Sequence, residues 1–180
     1  MATVPCIGDD RGIPSFRVLV VEDYEEFRRF LCSVLNKRTE PQVIYEVSDG
    51  LEAVRKAEEL HPDLILLDVG LPTLNGLEAA RQIRKLCPQS KILFVSQESS
   101  AEVVQEALRL GAGYVAKTHA GGDLSAAVEA VCQGGRFVSA GLAFHDPADL
   151  SDLRATNSHL YPHGVSPSIP GRETRVHLTD

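Results

Sequence analysis

The sequence lacks the features that mark membrane and secreted proteins. No apolar run approaches the roughly 20 residues that a membrane-spanning helix needs. The amino terminus has no basic region followed by a long apolar one, as a secretory signal would, and it carries Asp9 and Asp10 instead. These absences predict a cytoplasmic protein without a membrane partner.

Paired cysteines and clustered positive charges are also missing. The four cysteines are widely separated and include no C-x-x-C pair, so they form neither a zinc-binding nor a redox motif. The chain carries 18 Lys and Arg against 25 Asp and Glu, which gives a net charge of −7. Binding to a phosphate backbone needs clustered Lys and Arg, so we expect no direct contact with nucleic acid.

What the sequence does contain is a regular alternation of short apolar runs and amphipathic segments. Five runs have the length and composition of buried strands, at residues 18–21, 43–47, 64–67, 92–95 and 113–116. Each is followed by apolar residues at helical spacing. Such alternation requires right-handed crossovers and a parallel sheet covered on both faces. The sequence therefore predicts an α/β fold with a doubly wound, five-stranded parallel sheet.

The 180 residues suffice for one well-buried core and its flanking segments. Residues 1–15 mix glycine, proline and acidic residues without periodicity, which predicts a flexible leader. Residues 16–138 hold the alternating pattern and form the predicted domain. Residues 139–180 are interrupted by four prolines, which predicts a largely irregular tail with at most one short helix.

Polar residues lie at or directly after the carboxyl ends of the apolar runs, where ligands bind in open parallel sheets. These residues are Glu22, Asp23, Asp68, Ser96 and Lys117. Asp23 could serve only as a helix cap, but capping does not account for Glu22 before it. Assorted polar residues are the ordinary expectation at strand ends, whereas three carboxylates, one hydroxyl and one ammonium form a narrower set. We therefore expect a functional site at this edge.

Three neighbouring carboxylates repel one another, and burial without a compensating cation would raise their pKa values. Mg²⁺ suits such a set, because it prefers a few carboxylate oxygens together with a phosphate oxygen. Lys117 would add a fixed positive charge. Asp68 could then act as a nucleophile and form an acyl phosphate, to which the Ser96 hydroxyl would donate a hydrogen bond.

The strand-end residues, in this order and spacing, resemble the receiver domain of two-component response regulators, the flavodoxin-like (CheY-like) module. The resemblance covers about residues 16–138 and rests on Glu22-Asp23, Asp68 in the stretch LLDVGLPTLNG, Ser96, Tyr114 and Lys117. Residues 134–139 resemble the end of receivers in LuxR/NarL-type regulators, which usually continue into a DNA-binding domain. We expect no such domain in residues 140–180.

The resemblance implies a phosphorelay in which a histidine kinase or a histidine phosphotransfer protein phosphorylates Asp68. It implies that Mg²⁺ is held by Asp23, Asp68 and the backbone carbonyl of Gly70, while Glu22 acts through a water molecule. Autophosphatase chemistry would be the most that such a domain catalyses, so we do not expect an enzyme in the ordinary sense.

The resemblance also implies a switch formed by Ser96 and Tyr114. The hydroxyl would move to the phosphoryl group and the ring would follow inward. Phosphorylation would then be reported to a downstream protein partner or to a second copy of the chain, as in other signalling switches.

Two residues depart from the receiver pattern and leave alternatives open. Gln97 follows the hydroxyl residue where a small residue is usual, and Thr118 follows the lysine where a proline in a cis bond is usual. A cis bond without proline costs about 2.5–4 kcal/mol, so Thr118 predicts either strain or a different loop. The alternatives are a receiver-like protein-interaction module that is not phosphorylated, and a phosphate sink.

Two other classes fit the sequence less well. A haloacid-dehalogenase-like phosphatase needs a second acidic residue two positions after its nucleophile, where this chain has Gly70. A nucleotide-binding Rossmann domain needs a glycine-rich loop after its first strand, where this chain has Glu22 and Asp23.

Overall fold

Six parallel strands form the centre of the structure, a computed structural model that describes residues 16–37 and 41–142. The strands are β1 (Arg17–Val21), β2 (Gln42–Val47), β3 (Leu64–Leu67), β4 (Lys91–Ser96), β5 (Gly113–Ala116) and β6 (Phe137–Val138). The helices are α1 (Glu25–Leu35), α2 (Gly50–Leu60), α3 (Gly76–Leu86), α4 (Ala101–Leu110) and α5 (Ala120–Cys132). A 3₁₀ turn at Lys117–His119 precedes α5.

The strands lie in the order β2-β1-β3-β4-β5-β6, and every neighbouring pair is parallel. Val21 at the end of β1 lies opposite Val47 of β2 and Leu67 of β3, so these three strands end at one level. The predicted doubly wound parallel sheet is confirmed. The residues that follow these strands therefore share one edge of the sheet.

The strands are apolar on both faces because helices cover both sides of the sheet. Leu19 and Ile65 belong to a core shared with α2, α3 and α4. Val20 and Leu66 belong to a second core on the opposite face, shared with α1 and α5. The alternation of side chains along each strand divides them between the two cores.

The structure differs from the sequence-based elements at two points near the carboxyl end of the described region. Strand β6, which pairs with β5, was not among the five predicted strands. The sequence predicts that residues 121–123 cap the last helix, but α5 begins earlier, at Ala120, so that prediction is wrong. The 3₁₀ turn continues directly into α5, and the side chain of Ala120 is buried in the core.

The predicted leader and tail lie outside the described residues, except for residues 139–142, and the limits 16–138 for the domain stay a prediction. Among the described residues, none of the helices has both the length and the apolar character required to cross a membrane.

Candidate functional site

The sheet places Glu22 and Asp68 side by side at its carboxyl edge. The Glu22 N–H donates to the Val47 carbonyl, and the Asp68 N–H donates to the Val21 carbonyl, both at 3.0 Å. These bonds extend the ladder one residue beyond β1 and β3. Hydrogen bonds therefore hold the backbone of both residues, which follow strands at one edge of the sheet as the sequence predicted.

Three carboxylates converge at this edge. Glu22, Asp23 and Asp68 each offer an oxygen that lies within 4.8 Å of the others. Glu22 and Asp68 are buried, with 0% and 4% of their surface exposed, whereas Asp23 is exposed. The residue at the N-cap of α1 is Tyr24, so Asp23 does not cap that helix. The capping interpretation of Asp23 is therefore wrong.

Lys117 supplies the positive charge next to these carboxylates. Its Nζ donates to Asp68 Oδ2 and to Glu22 Oε1, both at 2.8 Å. It also lies 5.0 Å from the centroid of the Phe27 ring. Burial lowers the pKa of Lys117, but the hydrogen bonds and charges of Asp68 and Glu22 outweigh burial and leave its pKa above the ordinary value.

Both carboxylate oxygens of Glu22 lie close to the ammonium of Lys117. Oε1 accepts from Lys117 and from the Tyr24 N–H at 3.2 Å, and Oε2 forms an ion pair with Lys117 Nζ at 2.8 Å. Burial raises the pKa of Glu22 against the opposing hydrogen bond from Lys117, and the charge of Asp68 raises it further. Further positive charge beside Glu22 would therefore stabilise its ionised form.

Both oxygens of Asp68 are oriented by hydrogen bonds. Oδ1 accepts from the Val69 N–H at 2.7 Å, and Oδ2 accepts from Lys117. The loop after Asp68 closes where the Gly76 N–H donates to the Val69 carbonyl at 2.9 Å. A Cβ at Gly76 would lie 1.9 Å from the Asp68 carbonyl oxygen, so glycine is needed for α3 to begin this close to β3. Gly70 is exposed within this loop.

Ser96 and Tyr114 end up on neighbouring strands, and both are buried. Ser96 is the last residue of β4, and its Oγ accepts from the Glu98 N–H at 3.4 Å. The Tyr114 hydroxyl donates to the Glu98 carbonyl at 2.7 Å. Burial raises the pKa of Tyr114 to about 12, so its hydroxyl stays protonated at neutral pH. The Tyr114 ring is fully buried and packs near the ring of Phe94.

The two residues that depart from the receiver pattern are both exposed. Gln97 directly follows β4, and Thr118 lies inside the 3₁₀ turn that begins at Lys117. The Thr118 Oγ1 lies 3.2 Å from Nδ1 of His119, the last residue of this turn. The loop after Lys117 is thus a 3₁₀ turn that leads into α5.

Sequence reasoning missed the residues of α1 that contact this site. Phe27 approaches Lys117, and Arg28 donates to the Glu22 carbonyl at 2.7 Å. Helical spacing identifies Phe27 as a core residue but gives no sign that it faces a lysine. The sequence equally offers no signal that separates Arg28 from its neighbour Arg29.

The comparisons with known proteins agree with this geometry. Residues 18–129 match the family described as the response regulator receiver domain. The chain belongs to this family. The receiver resemblance is therefore confirmed for more than half of the sequence.

Curated relatives of this receiver include response regulators from two bacteria. The transcriptional regulatory protein DegU of Brevibacillus brevis is 32% identical over 123 residues, which cover 68% of this chain and 52% of DegU. The response regulator protein VraR of Staphylococcus aureus is 36% identical over 121 residues, which cover 67% of this chain and 58% of VraR. The chain thus spans little more than half the length of these relatives.

Solved structures confirm the CheY-like receiver fold. A LuxR-family two-component response regulator from Aurantimonas sp. SI85-9A1 aligns with a TM-score of 0.67 and 27% identity, covering 78% of this chain and 96% of that one. The response regulator domain of Thermotoga maritima CheB aligns with a TM-score of 0.57 and 33% identity, covering 67% and 92% respectively. Receiver domains are signalling modules that bind Mg²⁺ at an acidic pocket and interact with histidine kinases.

Proposed function

We propose that this receiver is a phosphoacceptor of a two-component phosphorelay, and that Asp68 accepts the phosphoryl group from a phosphohistidine. The donor is a histidine kinase or a histidine phosphotransfer protein. The observation that carries the proposal is the position of Asp68, which lies within 4.8 Å of two other carboxylates and 2.8 Å from the ammonium of Lys117. An acidic nucleophile beside a fixed cation suits phosphoryl transfer.

The residues at this edge fit Mg²⁺. The donor set consists of three carboxylates whose oxygens lie within 4.8 Å of one another, and Mg²⁺ prefers such ligands. In our proposal Asp23, Asp68 and the backbone carbonyl of Gly70 hold the ion, and Glu22 acts through a water molecule. When bound, Mg²⁺ supplies positive charge opposite the oxygens of the phosphoryl group.

The proposed transfer uses the geometry of Asp68 directly. A carboxylate oxygen of Asp68 forms a bond to phosphorus while the phosphorus–nitrogen bond of the phosphohistidine breaks, and its electron pair stays on the imidazole nitrogen. The acyl phosphate carries additional negative charge, and the ammonium of Lys117 lies beside the oxygen Oδ2 to compensate it. The Ser96 hydroxyl donates to a phosphoryl oxygen.

The proposed output is a change in the switch pair. When the Ser96 hydroxyl turns to the phosphoryl group, it no longer accepts from the Glu98 N–H. Because the Tyr114 hydroxyl donates to the carbonyl of the same residue, the loop between β4 and α4 is hydrogen-bonded to both members of the pair. A downstream protein partner or a second copy of the chain would recognise the changed surface, and the net charge of −7 favours such a partner over nucleic acid.

Two alternatives use the same fold. A receiver used only as a protein-interaction module would need neither Mg²⁺ nor Asp68, and a phosphate sink would be phosphorylated without changing its surface. The departures at Gln97 and Thr118 favour the first alternative. The presence of all three carboxylates, Lys117 and Ser96 favours phosphorylation, because an interaction module has no need for this set.

The first prediction is Mg²⁺-dependent phosphorylation. Incubation with acetyl phosphate should give one phosphoryl adduct by intact-mass analysis, and removal of Mg²⁺ with a chelator should suppress it. Asp68→Asn should abolish the adduct because the nucleophile is lost. Asp63→Asn is the matched control, since Asp63 is an exposed carboxylate at the opposite end of β3 and should leave labelling unchanged. If the chain without substitutions gives no phosphoryl adduct, the proposed function is contradicted.

A further inference from the structure

Two neighbouring arginines on α1 have very different surroundings. The Arg29 side chain is 74% exposed and pairs with Glu25 on its own helix. The Arg28 side chain is only 19% exposed and points toward the turn between β1 and α1. Solvated pairs such as the one of Arg29 contribute little to stability. The partly buried position of Arg28 therefore needs a different explanation.

Arg28 joins the acid cluster to the neighbouring strand. Its guanidinium donates through one terminal nitrogen to the Glu22 carbonyl at 2.7 Å, and its Nε lies 3.4 Å from Oε2 of Glu46 on β2. The planar guanidinium can make both contacts at once in a fixed geometry. Arg28 thus connects α1, the end of β1 and the edge strand β2.

The contact holds the backbone of Glu22, a buried carboxylate of the cluster. Glu22 lies one residue beyond β1, and its N–H is fixed by the Val47 carbonyl of β2. Arg28 fixes the carbonyl of the same residue, so both polar groups of the Glu22 backbone are held. Because the Glu22 side chain is fully buried, a rotation of its backbone would displace the carboxylate relative to Asp68.

We propose that Arg28 is a positioning residue for the carboxylates of Glu22, Asp23 and Asp68, with Glu46 orienting its guanidinium. Arg28 touches neither the phosphoryl group nor the ion. It sets the spacing of the oxygens by holding the backbone of Glu22. The inference rests on the proposed function, since it concerns the Mg²⁺ affinity of the same cluster. Groups that orient the ligands of a metal influence its affinity by about 10- to 100-fold.

The test compares Arg28→Gln with Arg29→Gln, which makes the same chemical change one position along the helix. Mg²⁺ alone is titrated into each unphosphorylated variant by isothermal titration calorimetry, far below the unfolding temperature measured by circular dichroism. We expect Arg28→Gln to weaken the Mg²⁺ Kd about tenfold or more. Arg29→Gln should match the unmodified chain. A merely structural role would lower the unfolding temperature and leave the Kd unchanged.

Two further variants separate position from charge. Arg28→Lys keeps the positive charge but loses the planar guanidinium that contacts both Glu22 and Glu46. This variant should therefore also bind Mg²⁺ more weakly. Glu46→Gln leaves Arg28 in place and removes its anchor on β2, so a smaller loss is expected. Glu46→Gln also serves as the test if Arg28→Gln does not fold.

The outcomes distinguish this inference from the proposed function. If the unmodified chain binds no Mg²⁺, the proposed function is wrong and the role of Arg28 is wrong with it. If the unmodified chain binds Mg²⁺ and the Arg28 variants bind it equally tightly, only the role of Arg28 is overturned. If Arg28→Gln does not fold, an unchanged Mg²⁺ Kd in Glu46→Gln overturns the role of Arg28 as well.

Discussion

The buried part of the acid cluster holds more negative than positive charge. Glu22 and Asp68 are both buried, and Lys117 is the cation that contacts both of them. Taking two carboxylates out of water costs free energy that a single ammonium offsets only in part. The raised pKa of Glu22 expresses this directly, because its ionised form is disfavoured in the folded protein. We therefore expect the acid cluster to lower the free energy of unfolding when Mg²⁺ is absent.

Glu22→Gln should stabilise the protein at pH 7 without Mg²⁺, by roughly 1 kcal/mol in the free energy of unfolding. A carboxyl whose pKa is higher in the folded state contributes stability below its unfolded pKa and loses it as pH rises through the folded value. The advantage of the variant should therefore shrink as pH falls through the folded pKa of Glu22. Urea unfolding at a series of pH values measures this difference.

Glu102→Gln is the control for Glu22→Gln, because Glu102 is exposed on α4. We expect it to change the free energy of unfolding by only a few tenths of a kcal/mol. Addition of Mg²⁺ should narrow the gap between Glu22→Gln and the unmodified chain, since an ion bound to the folded state stabilises it. A destabilised Glu22→Gln at pH 7 would show that the bond to Lys117 outweighs burial.

The sequence predicted the reactive residues of the site better than the residues of α1 that contact them. Glu22, Asp68 and Lys117 were identifiable because each follows a short apolar run, and parallel strands bring such positions together. Arg28 was not identifiable, because a helical position does not reveal which distant carbonyl a long side chain reaches. The same holds for Phe27, whose contact with Lys117 depends on how α1 packs against the sheet.

At the level of elements, the position of β6 depends on contacts with α4 and β5, which are distant from it in sequence. Arg136 donates to the carbonyls of Leu108 and Gly111 at the end of α4. A Cβ at Gly113 would lie 2.4 Å from the Phe137 carbonyl oxygen, so glycine in β5 leaves room for β6. Such a short strand has no periodicity of its own, and distant partners determine it. For that reason the five longer strands were predictable and β6 was not.

Ser139→Ala should cost about 2 kcal/mol in the free energy of unfolding, because a buried N–H and a partly buried carboxylate lose their contact with the hydroxyl. The Ser139 hydroxyl donates to Asp123 Oδ2 at 2.6 Å and accepts from the Ala116 N–H at 3.2 Å. Urea unfolding measures the cost. Ser125→Ala, at an exposed position of α5, should be close to neutral. Equal costs for the two variants would show that the hydrogen bonds of Ser139, directly after β6, do not stabilise the fold.

At the level of the whole molecule, the site lies next to elements that a partner can recognise. Glu98, in the loop between β4 and α4, donates to Ser96 and accepts from Tyr114. Lys117 leads through the 3₁₀ turn into α5. Strand order and these junctions follow from packing and could not be derived from the strand runs alone. Shifting a two-state equilibrium from mostly inactive to mostly active requires several kcal/mol of differential interaction.

Phosphorylation should change amide hydrogen exchange across residues 98–133, which contain α4, β5 and α5, and leave residues 42–60 unchanged as an internal control. The expected cause is the loss of the Ser96 contact with Glu98 when the hydroxyl turns to the phosphoryl group. Light scattering on the same samples detects dimer formation. Unchanged exchange and unchanged mass would favour the phosphate sink over the switch.

The central claim is that Asp68 itself becomes the acyl phosphate. Borohydride reduces an aspartyl phosphate to homoserine, and peptide mass spectrometry after acetyl phosphate and Mg²⁺ treatment then locates the modified residue. We predict homoserine at position 68, with Glu22 and Asp23 unmodified although they lie in the same cluster. Reduction at another carboxylate, or an unreduced residue 68 in a chain that carries the phosphoryl group, would contradict the account.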